Sequence, residues 1–226
     1  MLEVLVSASY KHSNLLNSLK DSGQAATSWG SNAQMYTEKI AAAVAETDGV
    51  AVLYDGNPVQ AVFFSSADGR TVDAVEVWGN AVPYLTGVDS PEGEEVPNYH
   101  STVTLTAEEF KTTLLAEYPG ADLSGDPSGW FSNTVSNSAG GVSSVDVGGV
   151  TISGQELRTL FSLRSTSFTV SAGADGVTFA VTGYGHGVGM SQYGANALAQ
   201  EGKSYEEILK WYYTGVEVEQ YTPGQP

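Results

Sequence analysis

The stretch GYGHGVGMSQYGANALAQ, residues 183–200, places glycine at every second position from Gly183 to Gly189 and interleaves Tyr184, His186, Val188 and Met190. Successive side chains of an extended chain point to opposite faces. Gly183, Gly185, Gly187 and Gly189 are therefore expected to leave one face bare, open to a ligand or another backbone, with Tyr184 and His186 on the other. SQYGANALAQEG reads as a helix opening near Ser191, its first backbone N–H groups facing the end of the glycine-rich segment. That setting suits an uncharged ligand such as a neutral sugar. It equally suits tight internal packing, with His186 a core histidine satisfied by a carbonyl.

Other chemistries fail on spacing. A dinucleotide fingerprint needs glycine at its first, third and sixth places, but the sixth places counted from Gly183 and Gly185 hold Val188 and Met190. The histidines, His12, His100 and His186, form no H-E-x-x-H pair, and there is no cysteine. Ser191 is followed by Gln192 and Tyr193, so no G-x-S-x-G elbow exists. No nucleotide, metal or cofactor site is expected.

Working outward, TEKIAAAVAETDG from Thr37 reads as a helix with Thr37 as candidate N-cap, Ile40, Val44 and Thr47 on one stripe, and Gly49 as its stop. VAVLYDGNPVQAVFF, residues 50–64, reads as a hairpin around Asp55-Gly56-Asn57-Pro58. Three further helices announce themselves by a Ser or Thr followed three residues on by Glu: Thr106 with Glu109, Ser153 with Glu156, Ser204 with Glu207. VSSVDVGGVTIS pairs two strands across Gly148-Gly149, and TSFTV pairs with VTFAVTG across SAGADG. Helices and antiparallel hairpins mix without a regular βαβ order, which predicts an α+β fold rather than a doubly wound sheet. One domain over 1–218 is expected, with lobe boundaries at the Pro-, Gly- and acid-rich stretches near 90–98 and 119–129 and a tail at 219–226. Leu2, Leu5, Leu15, Leu16 and Leu19 suggest a buried helix near the start.

The totals are consistent with this. A chain of 226 residues with 41% hydrophobic content can bury roughly 70–75% of its unfolded surface. Nine Lys plus Arg against 26 Asp plus Glu give a net charge of -17, which repels phosphate backbones and anionic lipid, so nucleic acid is excluded as a partner. No apolar run approaches a membrane span, and Met1 is followed by no signal-like segment.

Several motifs together carry a family resemblance. GYGHGVGMSQYGANALAQEGKSYEEILKWYYTGVEV, residues 183–218, resembles the C-terminal signature of the stage II sporulation protein D family, which includes the amidase-enhancer proteins of bacterial walls. LRSTSFTV after ISGQELR, VWGNAVPYLTGVDSP at 77–91, FFSSADGRT at 63–71 and AQMY at 33–36 follow in the family's order, so the resemblance spans about residues 4–218. It implies a lytic transglycosylase acting on peptidoglycan glycan strands stripped of their peptides, outside the cytoplasm or at the cell wall, with a wall amidase as a second partner. VLVSASY at 4–10 matches the stretch that follows the family's essential glutamate, which would place that acid upstream of Met1; Glu3 is not its equivalent. Ala33 stands where a zinc-binding Cys is common, and Phe64 where many members have His.

Cleavage of a glycosidic bond without water needs one group that protonates the leaving oxygen and then takes the proton of the sugar's 6-hydroxyl. Within the chain the catalytic candidates are Glu76, if an apolar cleft beside Trp78 raises its pKa, and His186. Tyr36, Trp78, Tyr184 and Tyr193 offer rings for stacking on pyranoses, against the alternative of core packing. Gln34, Ser65, Ser66, His186 and Gln192 offer hydrogen bonds to hydroxyls. Arg70 and Arg164 are candidates for a muramyl carboxylate or for internal ion pairs. Three functions are thus consistent with the sequence: a lytic transglycosylase, a non-catalytic glycan-binding module that assists an amidase, and an acidic binding protein whose glycine-rich strand is only structural.

Overall fold

The computed structural model describes residues 27 and 29–222, so the leucine-rich stretch near the start and the last four residues of the tail lie outside the described residues. Two compact units are present: the described residues up to 62 together with 195–222, and residues 63–194.

In the first unit, α1 (Ala33–Glu46) turns Ile40, Ala43, Val44 and Thr47 inward at helical spacing. Its N-cap is Asn32, reached through a 3-10 turn at Gly30–Asn32, so helical bonding is under way before Thr37, which is exposed inside the helix instead of capping it. Gly49, at φ +74°, ends the turn beyond Thr47. β1 (Val50–Tyr54) is the middle strand of a sheet with β2 (Asn57–Pro58) and β11 (Glu217–Gln220). The β1–β2 turn is Asp55-Gly56 alone, both at positive φ, as a tight hairpin requires. The hairpin is shorter than expected. Its ladder ends at Pro58, and Phe63–Phe64, which the alternation placed in the second strand, form β3 of the other unit. The α6 helix (Tyr205–Tyr212) opens on the Ser204–Glu207 capping box and buries Ile208, Leu209 and Tyr212. Tyr213, also buried, donates its hydroxyl to the Val62 carbonyl at 2.9 Å.

The second unit contains two three-stranded antiparallel sheets. One orders β4 (His100–Leu105), β9 (Gly176–Thr182) and β8 (Phe168–Gly173); the other orders β5 (Phe131–Ser136), β6 (Val142–Val147) and β7 (Val150–Ser153). Gly148-Gly149 turns β6 into β7 in two residues. The β8–β9 turn is tighter than SAGADG suggested, because Ser171–Gly173 already pair with Gly176–Thr178. The α3 helix (Ala107–Glu117) and α4 (Gly154–Leu160) each open on the expected capping box. The core is aromatic: Phe110 stacks on Phe161 at 4.9 Å and on Trp130 at 5.6 Å, with Phe179 against Phe161 at 5.3 Å. β3 (Phe63–Phe64) pairs with β10 (Met190–Ser191), the one parallel strand pair among the described residues. This is an α+β fold, with no closed barrel among the described residues. The stretches 90–98 and 119–129 both lie inside this second unit.

Candidate functional site

The site is built where the chain leaves β9. After the last pair of the β4–β9 ladder, His100 with Thr182, the Gly183 N–H donates to the Tyr99 carbonyl at 2.8 Å. The chain then laces against residues 63–72. Tyr184 N–H donates to Ser66 O (2.8 Å), Ser65 and Ser66 N–H both donate to Tyr184 O (3.1 Å each), and Val72 N–H donates to Gly187 O (2.8 Å). The four alternate glycines all have positive φ: +74° at Gly183, +129° at Gly185, +83° at Gly187 and +76° at Gly189. The segment is therefore not the extended strand with one bare face that the alternation suggested. What approaches it closely is the chain's own 63–72 segment: a Cβ at Gly183 would sit 2.7 Å from Ser66 O, and one at Gly185 2.5 Å from the Phe64 Cβ.

His186 is held by both ring nitrogens. Nδ1 accepts the Val188 N–H at 3.1 Å, which leaves the proton on Nε2 to be donated to the Phe63 carbonyl at 3.2 Å. Phe64 and Trp78 flank the imidazole at centroid distances of 5.6 and 5.7 Å. Burial pushes the His186 pKa below the ordinary histidine value; the Phe63 hydrogen bond opposes this and the Arg158 charge adds to it. The neutral imidazole braces the glycine-rich segment, and neither nitrogen is left free for proton transfer. Glu76 stands exposed on α2 (Ala74–Trp78) and accepts the Ser138 N–H at 2.9 Å, outside the apolar cleft envisaged for it.

A carboxylate that sequence reasoning passed over sits at the centre. Glu92, 4% exposed, accepts the Ala67 N–H at 2.6 Å, the Ser90 hydroxyl at 2.6 Å and the Ser191 hydroxyl. Ser191 Oγ in turn accepts the Gly194 N–H at 3.3 Å, capping α5 (Gln192–Gln200) at its N3 position, and Tyr193 N–H donates to Ser65 O at 3.1 Å. One buried carboxylate thus ties residues 65–67 to the helix start at 191–194. Beside it the Tyr99 phenol is pushed up to about 12, first by burial and then by the charges of Asp68, Glu92, Glu94 and Glu95.

Of the residues singled out in the sequence, Ser65, Ser66, Trp78, Tyr184, His186, Gln192 and Tyr193 all fall in the second unit, on the laced segments, α2 or the start of α5. Ser66 is buried and lines a tight cavity with Asp68, Arg70, Ser167 and Gly185, of about 30 Å³, room for a water but not a sugar. Trp78 and Tyr184 are 43% and 46% exposed. The Arg164 guanidinium lies 4.4 Å over the Tyr184 ring, whereas Arg70 is taken by Asp89 (2.8 Å) and the Gly87 carbonyl (2.7 Å). Gln34 and Tyr36 sit exposed on α1 of the first unit, Gln34 bonded to Glu38 at 2.8 Å and Tyr36 edge-on to Trp29 at 5.8 Å.

No family model matches the chain. It is 37% identical over 190 residues to the stage II sporulation protein D of Bacillus subtilis (strain 168), covering 84% of this chain and 54% of that protein. It is 36% identical over 199 residues to the protein of the same name from Bacillus amyloliquefaciens, covering 88% of this chain and 56% of that one. An amidase enhancer of Bacillus subtilis (strain 168) is 30% identical over 246 residues, covering 86% of this chain and 33% of the enhancer. The chain spans about half the length of the two sporulation proteins it matches.

Proposed function

We propose that this chain, which these relatives place in the stage II sporulation protein D and amidase-enhancer family, is a cell-wall domain that binds peptidoglycan glycan strands outside the cytoplasm. The observation that carries the reading is the pair of exposed rings, Trp78 on α2 against the His186 imidazole and Tyr184 on the glycine-rich segment that His186 braces. Flat, half-exposed aromatic faces on a rigid support are what pyranose rings stack on, and pre-organisation lowers the entropic cost of binding. The three internal groups nearest to acid–base work are already committed: His186 through both nitrogens, Glu76 to Ser138, Glu92 to three donors. This favours glycan binding by the exposed rings over cleavage by these three groups. Strand cleavage by the lytic transglycosylase route needs a proton donor other than these three groups.

A second reading, a binding module that assists a wall amidase, is favoured by the relative named amidase enhancer. Retention of the chain on purified peptide-stripped strands and on intact wall, with mass spectrometry of the strands afterwards, tests both. Preferential retention without anhydro-muramyl products is expected. Absence of retention would refute glycan binding, and anhydro products would move the acid role to a residue of this chain.

A further inference from the structure

Arg158 and Arg164 stand out in the second unit. With 26 Asp plus Glu against nine Lys plus Arg, a cation here has carboxylates to spare, and Arg70 takes one in Asp89. Among the described residues neither Arg158 nor Arg164 has a carboxylate within 4.0 Å. They are instead tied to each other and to the glycine-rich segment. The Arg164 carbonyl accepts both the Arg158 Nε–H at 3.2 Å and the Gly185 N–H at 2.9 Å. Arg158 Nη1 reaches Gln155 Oε1 at 3.5 Å, and its guanidinium is half-buried, which disfavours its charge. Arg164 Nε is fully enclosed with no acceptor, while the guanidinium carbon lies 4.4 Å from the centre of the Tyr184 ring, on one face of it.

Partly desolvated guanidinium groups without an anion are costly, and a bound carboxylate would offset that cost through paired charge-assisted hydrogen bonds. Tyr184, half-exposed beside them, presents an apolar ring face of the kind a pyranose covers. A neutral sugar alone would leave the two charges unanswered. We propose that Arg158 and Arg164, with Tyr184, form an anion subsite that takes a carboxylate borne on a pyranose of the bound strand. The proposal rests on the glycan-binding reading and deepens it: removal of the peptide from a muramyl residue leaves its lactyl ether ending in a free carboxylate, the group this subsite holds.

Titration calorimetry on the full chain tests this with four ligands of similar length: peptide-stripped strands, the same strands with their carboxylates converted to methylamides, chitooligosaccharide, and oligogalacturonate. The stripped strand is expected to bind about tenfold more tightly than its methylamide, the worth of one charge-assisted contact. R164Q is expected to lower affinity for the carboxylated strand by a similar factor. The losses from R164Q and from amidation are expected to be non-additive, since both remove the same contact. R158Q repeats the cycle if R164Q does not fold, and the four-ligand comparison on the unaltered chain needs no variant. Equal affinity for carboxylated and amidated strands, or strictly additive losses, overturns the subsite while leaving glycan binding intact. Failure to bind any of the sugars overturns both. Oligogalacturonate bound as tightly as the stripped strand supports a carboxylate subsite whose source is a uronic acid; weak binding of it assigns the lactyl carboxylate.

Discussion

Removing Glu92 should unfasten the site. In Glu92→Ala three donors lose their acceptor: the buried Ala67 N–H, the Ser90 hydroxyl and the Ser191 hydroxyl. An orphaned buried donor costs about 1–3 kcal/mol. The amide cannot turn away, whereas the hydroxyls can, Ser191 having the Ser65 carbonyl 3.3 Å off. Full cost at Ala67 and partial cost at the serines gives about 2–5 kcal/mol. Glu92→Gln keeps the shape and one acceptor oxygen and should cost only about 1–2 kcal/mol, the difference between charged and neutral hydrogen bonds. Urea denaturation followed by circular dichroism measures both, with the slope checked for constancy. A double-mutant cycle with Ser191→Ala should show a coupling of at least about 1 kcal/mol. A loss below about 1 kcal/mol in Glu92→Ala, or additive losses in the cycle, would refute the view that this carboxylate holds the two segments together.

Gly185→Ala should destabilise by about 2–5 kcal/mol, from the clash with Phe64 and the positive φ, whereas Gly79→Ala, with open space around it, should show the φ cost alone; thermal melts separate them. His186 has a folded pKa below its unfolded value of about 6.5. Its contribution is therefore complete above about pH 6.5 and is lost as pH falls through the folded value, at up to about 1.4 kcal/mol per pH unit. Melts from pH 7.5 to 5 should show this decline, and it should be smaller in His186→Gln. Ser153→Ala removes the α4 capping box and should cost about 1 kcal/mol in denaturant titrations. Trp78→Ala and Tyr184→Ala should each weaken glycan retention by roughly fivefold, about 1 kcal/mol, with unchanged melting profiles as the control.

Features written within a few residues of one another were legible in the sequence. The capping boxes at Thr106, Ser153 and Ser204 and the Gly148-Gly149 turn are where the spacing put them, because each is satisfied inside one turn of chain. The alternate glycines announced a close approach. Their positive φ, and hence the loss of strand geometry, depended on a partner segment that local pattern does not name. Glu92 was hidden for the same reason. DSPEGEEVPN has the composition of a solvated loop, and only donors 25 and 99 residues away make one of its acids a buried acceptor. Arg70 and Arg164 were indistinguishable as scarce cations until Asp89 was found on the first and Tyr184 under the second.

The parallel pairing of Phe63–Phe64 with Met190–Ser191 sets the order in which the molecule can become competent. The β6–β7 and β8–β9 hairpins close loops of two residues and can form within microseconds. The bonds from Phe63 to His186 and from Ser65 to Ser191 close loops of 123 and 126 residues. Closing such a loop is entropically costly until the intervening sheets have shortened it by folding. The laced segment is therefore the last part of the unit to close. The aromatic core itself waits for Phe179 and Val181, which lie shortly before Met190, so core and laced segment are completed in close succession as the chain lengthens.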